Sequence, residues 1–449
     1  MEILEKARRM LEEKPLCDNC LGRQFAFLGY GVENRERGRA IKTILTMEGH
    51  RLAFLKKPEG IRILKMLAEN GGFRMAETIL QKIGETSNRK KECFLCGNRF
   101  DKLSSLIEKA MDALRDYEYD TFLVGVRIPI EIEEREDELR ARFEIEHGEG
   151  MRNEFSRVLG KTLLEAAGKR VDYKKPQIVI IFNPFTEKIE LQVNSLFIMG
   201  RYRKLVRGIP QSKWLCRRCH GRGCPSCNWT GKMYPESVEE LIAEPILEMT
   251  LGEESSFHGA GREDIDARML GSGRPFVIEI KRPKKRKLDL FELEHIINER
   301  AQGKIEVLNL RYADREDVVK IKDMESAQKT YRVTVEFDRE LGDNELEKLE
   351  DALTDITILQ RTPTRVLHRR ADLTREKHIY ETKIKRISPK KVELTIKCQG
   401  GLYVKELITG DNGRTKPSVS EIIGAKAQPL ELDVLDVLEK DGGERNGKV

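Results

Sequence analysis

Nowhere in the chain do about eighteen apolar residues run together, the length that a membrane-crossing helix needs. The opening MEILEKARRM is charged and amphipathic, without the apolar core of a secretory signal. Both absences point to a soluble, cytoplasmic protein. A large excess of one charge is also missing: 82 Lys plus Arg face 76 Asp plus Glu, a formal net charge of only +6 although 35% of residues are charged. Overall charge therefore does not announce a polyanion partner, and only local stripes of Lys and Arg would. Tryptophan is scarce, with two in 449 residues, and beside it the Glu, Lys and Arg content is compatible with a heat-adapted source. Nucleotide loops are lacking too. Gly160-Lys161-Thr162 ends like a phosphate-binding loop, but Phe155 stands where the upstream glycine is required. GAGRED and GSGRPF lack the third glycine and the βαβ setting of a dinucleotide fingerprint. These gaps argue against a nucleotide-triphosphate site and against redox or methyl-donor chemistry.

The chain is longer than one hydrophobic core usually supports, so two or three domains are expected. Its basic residues do cluster, as KRPKKRK at 281–287, RYRKLVR at 201–207 and QRTPTRVLHRRAD at 360–372, while acids gather elsewhere, as at 131–138. Each run reads either as a phosphate-binding stripe or as a solvated face.

Eight of nine cysteines fall in C-x-x-C pairs: Cys17 and Cys20, Cys93 and Cys96, Cys216 and Cys219, Cys224 and Cys227; Cys398 stands alone. Two intervening residues let both sulfurs turn onto one ion, and four thiolates complete the tetrahedron that zinc prefers. Two closed structural zinc sites follow, one local to 216–227 and one joining Cys17 and Cys20 to Cys93 and Cys96 across a long insertion. Disulfides are the alternative, but they suit an oxidising compartment that nothing here signals. A catalytic zinc would keep one position for water, whereas each set already supplies four thiols. His220, inside the second cluster, reads as a bystander.

Residues 1 to about 14 read as a helix with Ile3, Leu4, Ala7, Met10 and Leu11 on one stripe, ended by Pro15. Helical periodicity continues in IRILKMLAENGG and FRMAETILQKIG. QIVIIF at 177–182 reads as a buried strand, KIELQV at 188–193 alternates, and Asn183-Pro184 supplies turn chemistry between them. The overall expectation is an α+β, multidomain chain: a helical zinc-binding region over 1–101, an α+β module over 102–213, a four-cysteine joint over 214–235, a further domain over 236–440 with a mixed, mainly antiparallel sheet flanked by helices, and a disordered tail over 441–449.

The segment HGAGREDIDARMLGSGRPF at 258–276 concentrates chemistry. Read with a period of two, Asp264, Asp266 and Arg268 share one face and Ile265, Ala267 and Met269 the other. Gly271-Ser272-Gly273 then suggests a hairpin turn into FVIEI. Two aspartates at a glycine-flexed strand entrance suit nucleophilic chemistry, and equally suit a polar edge with Asp264 capping a turn. Spacing alone does not choose.

A resemblance does. GREDIDAR resembles the nucleophile segment of tRNA pseudouridine synthases, and CDNCLGRQFAFLGYG together with HGAGREDIDARMLGSGRPF is similar to the archaeal and eukaryotic family that makes pseudouridine at tRNA positions 54 and 55. Residues 171–214 resemble a THUMP domain, and the resemblance implies that the module over 102–213 binds RNA and that 236–440 is the pseudouridine synthase catalytic domain. The resemblance implies Asp264 as the catalytic aspartate, with Asp266 the runner-up, and Arg262 holding the tRNA backbone or the flipped base. It implies Tyr331, in AQKTYRVTVEF, as the active-site tyrosine, Val404 and Lys405 as an aliphatic wall and a basic partner, and Leu432 closing the pocket. It implies tRNA, through its T arm, as the partner, and no organic cofactor. No membrane association and no obligatory protein partner are expected.

These residue types suit that reaction. Moving the ribose bond from N1 to C5 of uracil needs a nucleophile that holds the ribose or the base while the ring turns, and a carboxylate can form such an adduct and leave. In a mostly apolar pocket desolvation opposes its ionisation, so a cation is required beside it, and Lys405 is the candidate. A tyrosine ring can stack on the extruded base and assist removal of the C5 proton. Arg361, Arg365, Arg369 and Arg370 are expected along tRNA phosphates, offsetting the cost of base flipping. Competing readings are a non-catalytic tRNA-binding protein and another THUMP enzyme, a methyltransferase or thiouridine synthase; both of the latter need a glycine-rich cofactor or ATP loop that the sequence lacks.

Overall fold

The computed structural model describes residues 2–438 apart from 325, 326 and 369, so the tail expected to be disordered and Arg369 lie outside the described residues. The chain divides into two compact units, Met1–Asn194 and Ser195–Val449. Among the described residues no helix is long and apolar enough to cross a membrane.

In the first unit the helix Glu2–Glu13 buries Ala7, Met10 and Leu11, while Ile3, expected on the same stripe, is exposed. Helices Asn34–Phe54, Pro58–Glu69 and Arg74–Lys82 close over it through Leu45, Leu64, Leu67, Ala76 and Leu80. A four-stranded sheet follows, ordered β2-β1-β3-β4 from β1 (Thr121–Val126), β2 (Arg170–Val171), β3 (Ile178–Asn183) and β4 (Lys188–Val193). β1 runs parallel to β2 and β3, and β4 is antiparallel. Helices Leu103–Leu114 and Met151–Ala167 lie against it, with Phe155 stacked on Phe100 at 4.1 Å. β3 alternates instead of being buried throughout: Ile178, Ile180 and Phe182 face the core. Asn183 makes the expected turn, its Oδ1 accepting the N–H groups of Phe185 and Thr186 at 3.0 Å each. Gly160-Lys161-Thr162 lies inside a helix, where no phosphate cradle forms.

The second unit is built on a ten-stranded sheet. Its strands are β5 (Leu196–Lys204), β6 (Glu254–Gly259), β7 (Arg268–Lys281), β8 (Ile305–Ala313), β9 (Lys329–Phe337), β10 (Ile356–Arg361), β11 (Thr374–Ser388), β12 (Lys391–Cys398), β13 (Thr415–Lys416) and β14 (Ala427–Val437), in the order β13-β10-β11-β12-β9-β14-β7-β5-β8 with β6 also paired to β7. Every pairing is antiparallel except β14 with β7. Helices Val238–Thr250 and Leu290–Arg300 bury Ile242, Ile246, Leu293 and Ile297 against Ile198, Ile278 and Ile280. Helices Asp343–Leu353 and Val404–Thr409 bury Leu349, Leu353 and Leu407 against Val333, Val335, Leu394 and Ile396.

Two expectations change here. Residues 196–204, read with the RNA-binding module over 102–213, form β5 inside the second sheet, between β7 and β8, because alternate residues Leu196, Ile198 and Tyr202 meet that sheet's core. The glycines at 271 and 273 do not turn a hairpin. They make a bulge within the single strand β7, where the register to β5 jumps between Tyr202 and Lys204. Gly271 has φ +56, and a Cβ there would stand 1.7 Å from the Leu435 carbonyl oxygen, so β14 passes too close for any side chain.

Candidate active site

Asp264 sits not on a strand but in the loop over 260–267 between β6 and β7. An irregular loop leaves its carbonyls without ladder partners, and buried carbonyls must be paired somewhere. Side chains from β5 and just beyond do this. Lys204, fully buried, donates from Nζ to the carbonyls of Ile209 (2.8 Å), Asp264 (3.1 Å) and Ile265 (3.2 Å). Arg207 donates to the carbonyls of Asp266 (2.9 Å) and Leu432 (2.6 Å) and pairs with Asp433 at 2.7 Å. Gln211 donates to the Gly261 carbonyl and to the Tyr202 hydroxyl.

Beneath the loop, Glu263 accepts from the Tyr202 hydroxyl (2.9 Å) and from Arg274 Nε (2.9 Å), while Arg274 Nη1 donates to the Ala260 carbonyl at 2.7 Å. Burial pushes the Lys204 ammonium below its ordinary range, with Glu263 opposing, and burial drives the Tyr202 phenol well up. The loop is thus held from below by a buried, paired network, and Asp264 is presented without the entropy of a free loop.

Above the network lies a cleft lined by Asp264, Tyr331, Val404, Leu432 and a set of cations. Asp264 Oδ2 is 3.4 Å from Arg365 Nη2 and 3.4 Å from Lys405 Nζ. Lys405, expected as the cation beside Asp264, sits closer to Asp266, with Nζ at 2.8 and 2.7 Å from its two oxygens. Partial burial pushes the Asp266 carboxyl up, but the Lys405 hydrogen bond together with the charges of Lys405 and Arg365 holds the group below the ordinary carboxylate range. Arg365 is itself set by Glu406, Nε to Oε1 at 2.7 Å, and lies over the Tyr403 ring. Arg370 donates to the Tyr403 hydroxyl at 3.0 Å, and Arg361 pairs with Asp372 at 2.6 Å. The mostly apolar pocket expected around the aspartate is therefore corrected to a mixed one: Arg262, Arg274, Lys329, Arg365, Arg370 and Lys405 line it beside the aliphatic wall.

Val404 and Leu432 are buried at this wall. Tyr331 shares the β9 face of Val333, Val335 and Phe337, and desolvation pushes its phenol well above the ordinary range, so at neutral pH the hydroxyl is protonated. Sequence reasoning missed Lys204, Arg207, Glu263, Arg274 and Glu406. Lys204 and Arg274 carried one signal, a charge at a strand position where burial demands pairing, whereas Arg207, Glu263 and Glu406 lie on loops or a helix and carried none.

The cysteines converge as two sets of four, Cys17, Cys20, Cys93 and Cys96, and Cys216, Cys219, Cys224 and Cys227, the sulfurs of each set lying within 4.8 Å of one another. Tetrahedral zinc about 2.3 Å from each sulfur would place neighbouring sulfurs about 3.8 Å apart. Cys216 to Cys224 and Cys219 to Cys227 are 3.8 Å, and Cys17 to Cys96 is 3.6 Å, far beyond disulfide bonding. Cys227 Sγ accepts the N–H groups of Cys224 and Gly231 at 3.3 Å each, which favours its thiolate, and buried Arg23 places Nη2 3.9 Å from Cys20 Sγ. Both sets fit a structural metal. His220 is exposed and outside the converging group.

Comparison with known proteins agrees over the whole chain. Residues 197–438 match the family described as "Pus10, C-terminal", and residues 106–183 the "Pus10 THUMP domain, archaeal". A "tRNA pseudouridine synthase Pus10" of Methanocaldococcus jannaschii is 47% identical over 97% of this chain and 94% of that one. The protein of the same name from Methanothrix thermoacetophila is 43% identical over 100% of this chain and 96% of its own. That of Pyrococcus furiosus is 41% identical over 98% and 100%. With identities of this size running nearly end to end, the chain belongs to the Pus10 family of tRNA pseudouridine synthases.

Proposed function

We propose that this protein isomerises uridine to pseudouridine in tRNA, at positions 54 and 55 of the T arm, with Asp264 as nucleophile. The observation that carries the reading is the placement of Asp264: a half-exposed carboxylate on a rigidly held loop, 3.4 Å from both Arg365 and Lys405, at a cleft walled by Tyr331, Val404 and Leu432. The two cations hold its carboxylate oxygen in place for attack. The glycosidic bond from C1′ to N1 breaks while the aspartate holds the ribose or the base, the uracil turns, C5 bonds to C1′, and the proton lost from C5 is balanced by one gained at N1. Tyr331 stacks on the extruded base and takes part in the C5 proton's departure, while Val404 and Leu432 exclude water. Arg262, Arg365, Arg369 and Arg370 hold the RNA.

Both cysteine sets carry structural Zn2+, which supplies no chemistry to the reaction and closes the folds of 17–96 and 216–227. The enzyme works in the cytoplasm, on tRNA, without an organic cofactor, a membrane or an obligatory protein partner.

The test is Asp264→Asn against Asp266→Asn on an unmodified tRNA transcript, with pseudouridine mapped along the full sequence. Asp264→Asn is expected to bind tRNA as the parent does and to form no pseudouridine, whereas Asp266→Asn retains product. Product from Asp264→Asn would end the reading and move the chemistry to its neighbour.

A further inference from the structure

A second cavity opens on the far side of the Asp264 loop. It shares Arg262, Asp264, Arg365 and Lys405 with the cleft and adds Pro210, Ile265 and Trp214. Trp214 is one of only two tryptophans in the chain. Its position is set by the second cysteine cluster. The Trp214 carbonyl accepts the Met233 N–H at 2.9 Å, Leu215 bridges to Lys232, and Cys216 N–H donates to the Gly231 carbonyl at 2.7 Å. The Tyr234 ring meets the indole edge-on at 5.6 Å. Two short antiparallel rungs thus form the neck of the cysteine loop, and the indole stands at that neck, beside the reacting aspartate.

We propose that this cavity binds the nucleotide adjacent to the target uridine, its base stacking on Trp214 and the intervening phosphate lying on Arg262. The inference rests on the uridine-isomerising reading of the cleft. A nucleotide flipped into the cleft stays joined to its neighbours through phosphates, so the groove beyond the Asp264 loop must accept chain or repel it. Three cations stand on the divide. Arg365 and Lys405 already pair with carboxylates, whereas Arg262 is exposed and forms no ion pair among the described residues, so its whole guanidinium faces an incoming phosphate. A part-exposed indole flanked by Pro210 and Ile265 is the platform on which any base stacks, independent of its identity. For an enzyme that meets two uridines in succession, a stacking site next to the catalytic pocket holds one while the other reacts. The second cysteine cluster, by fixing Trp214, then contributes to substrate binding as well as to the fold.

The test uses the full chain with its metal and a complete tRNA transcript, in which the nucleotide on either side of one target is intact or replaced by an abasic ribose. Trp214→Ala is expected to raise KM on the order of tenfold on intact tRNA, with kcat within about twofold, and Trp214→Phe to retain most of the affinity. On the transcript abasic at the stacked neighbour, the parent and Trp214→Ala are expected to share one KM. A second arm reads the parent site directly: in a Trp229→Phe background, Trp214 emission should be quenched by intact tRNA and unchanged by the abasic one. An equal KM penalty on intact and abasic tRNA, or quenching indifferent to the missing base, overturns the site. If the parent makes no pseudouridine at all, the uridine-isomerising reading itself has failed; product without the coupling removes only Trp214.

Discussion

RYRKLVR at 201–207 and QRTPTRVLHRRAD at 360–372 each carry four cations, Arg201, Arg203, Lys204 and Arg207 in one, Arg361, Arg365, Arg369 and Arg370 in the other. As sequence, either is a candidate phosphate track. In the fold they part. The first run lies on and just after β5, an interior strand, and its cations turn to carbonyls: Arg201 to those of Ser272, Gly273 and Val437, Arg203 to that of Gly271, Lys204 and Arg207 to those of the Asp264 loop and β14. The second run leaves β10, like β5 the second strand from an end of the sheet, and there Arg365 and Arg370 line the cleft while Arg361 pairs with Asp372. What a cation does follows from what its backbone leaves unsatisfied nearby: beside a bulge and an irregular loop it supplies missing donors, and beside an open cleft it is left for the ligand.

The sharpest way to break this contrast is Lys204→Met. The change leaves Glu263 paired to Arg274, but strips a donor from one buried and two partly buried carbonyls, for a stability cost of about 3–5 kcal/mol. A loop displaced by about 1 Å is expected to lower kcat by about 100-fold, with the tRNA dissociation constant and its salt dependence unchanged. Lys204→Arg should recover part of kcat. If Lys204→Met instead weakened binding and flattened the salt dependence, the run would be an RNA surface after all. Pseudouridine kinetics beside filter binding across a salt series decide it.

Arg365 stands between the two uses, since it touches Asp264 yet belongs to the outward run. Arg365→Ala removes one of two cations from the aspartate and leaves Lys405 in place, so kcat is expected to fall about tenfold. Because Glu406 then loses its partner in a largely buried setting, a control with Glu406→Gln is needed. The double variant should recover stability but not kcat. Recovery of both would make Arg365 a structural partner of Glu406 rather than part of the reacting site.

The same contrast explains what could be read in advance. The helix Glu2–Glu13, β3 and β4, and the eight paired cysteines were legible because each advertises itself through local periodicity or ligand spacing. Tyr331, Val404, Lys405 and Leu432 line one cleft with Asp264, but it was resemblance that singled them out; nothing local to them did. β5 was misassigned because the alternation of LFIMGRYRK states that it is a strand without stating which sheet it joins. Gly271-Ser272-Gly273 carries hairpin chemistry, and only the passage of Leu435 against Gly271 reveals a bulge. Glu263 and Arg274, eleven positions apart and fully buried as a pair, have no local signature at all, because their partnership exists only once β7 folds back under the loop.

The smallest effect is expected where the contrast predicts ordinary phosphate contact. Arg361 pairs with Asp372, Arg370 lines the cleft and donates to the Tyr403 hydroxyl, and neither has a hydrogen bond or ion pair to the Asp264 loop. Arg361→Ala and Arg370→Ala should each raise KM a few-fold, leave kcat within about twofold, and reduce the slope of log affinity against log salt by about 1 for each phosphate released. The slope is the informative quantity, because a surface ion pair such as Arg361 with Asp372 contributes about 0–1 kcal/mol to stability, so a fold defect cannot imitate the change. An unaltered slope with reduced kcat would show that these arginines also act through the scaffold, and the distinction between inward and outward runs would then reduce to a distinction of exposure alone.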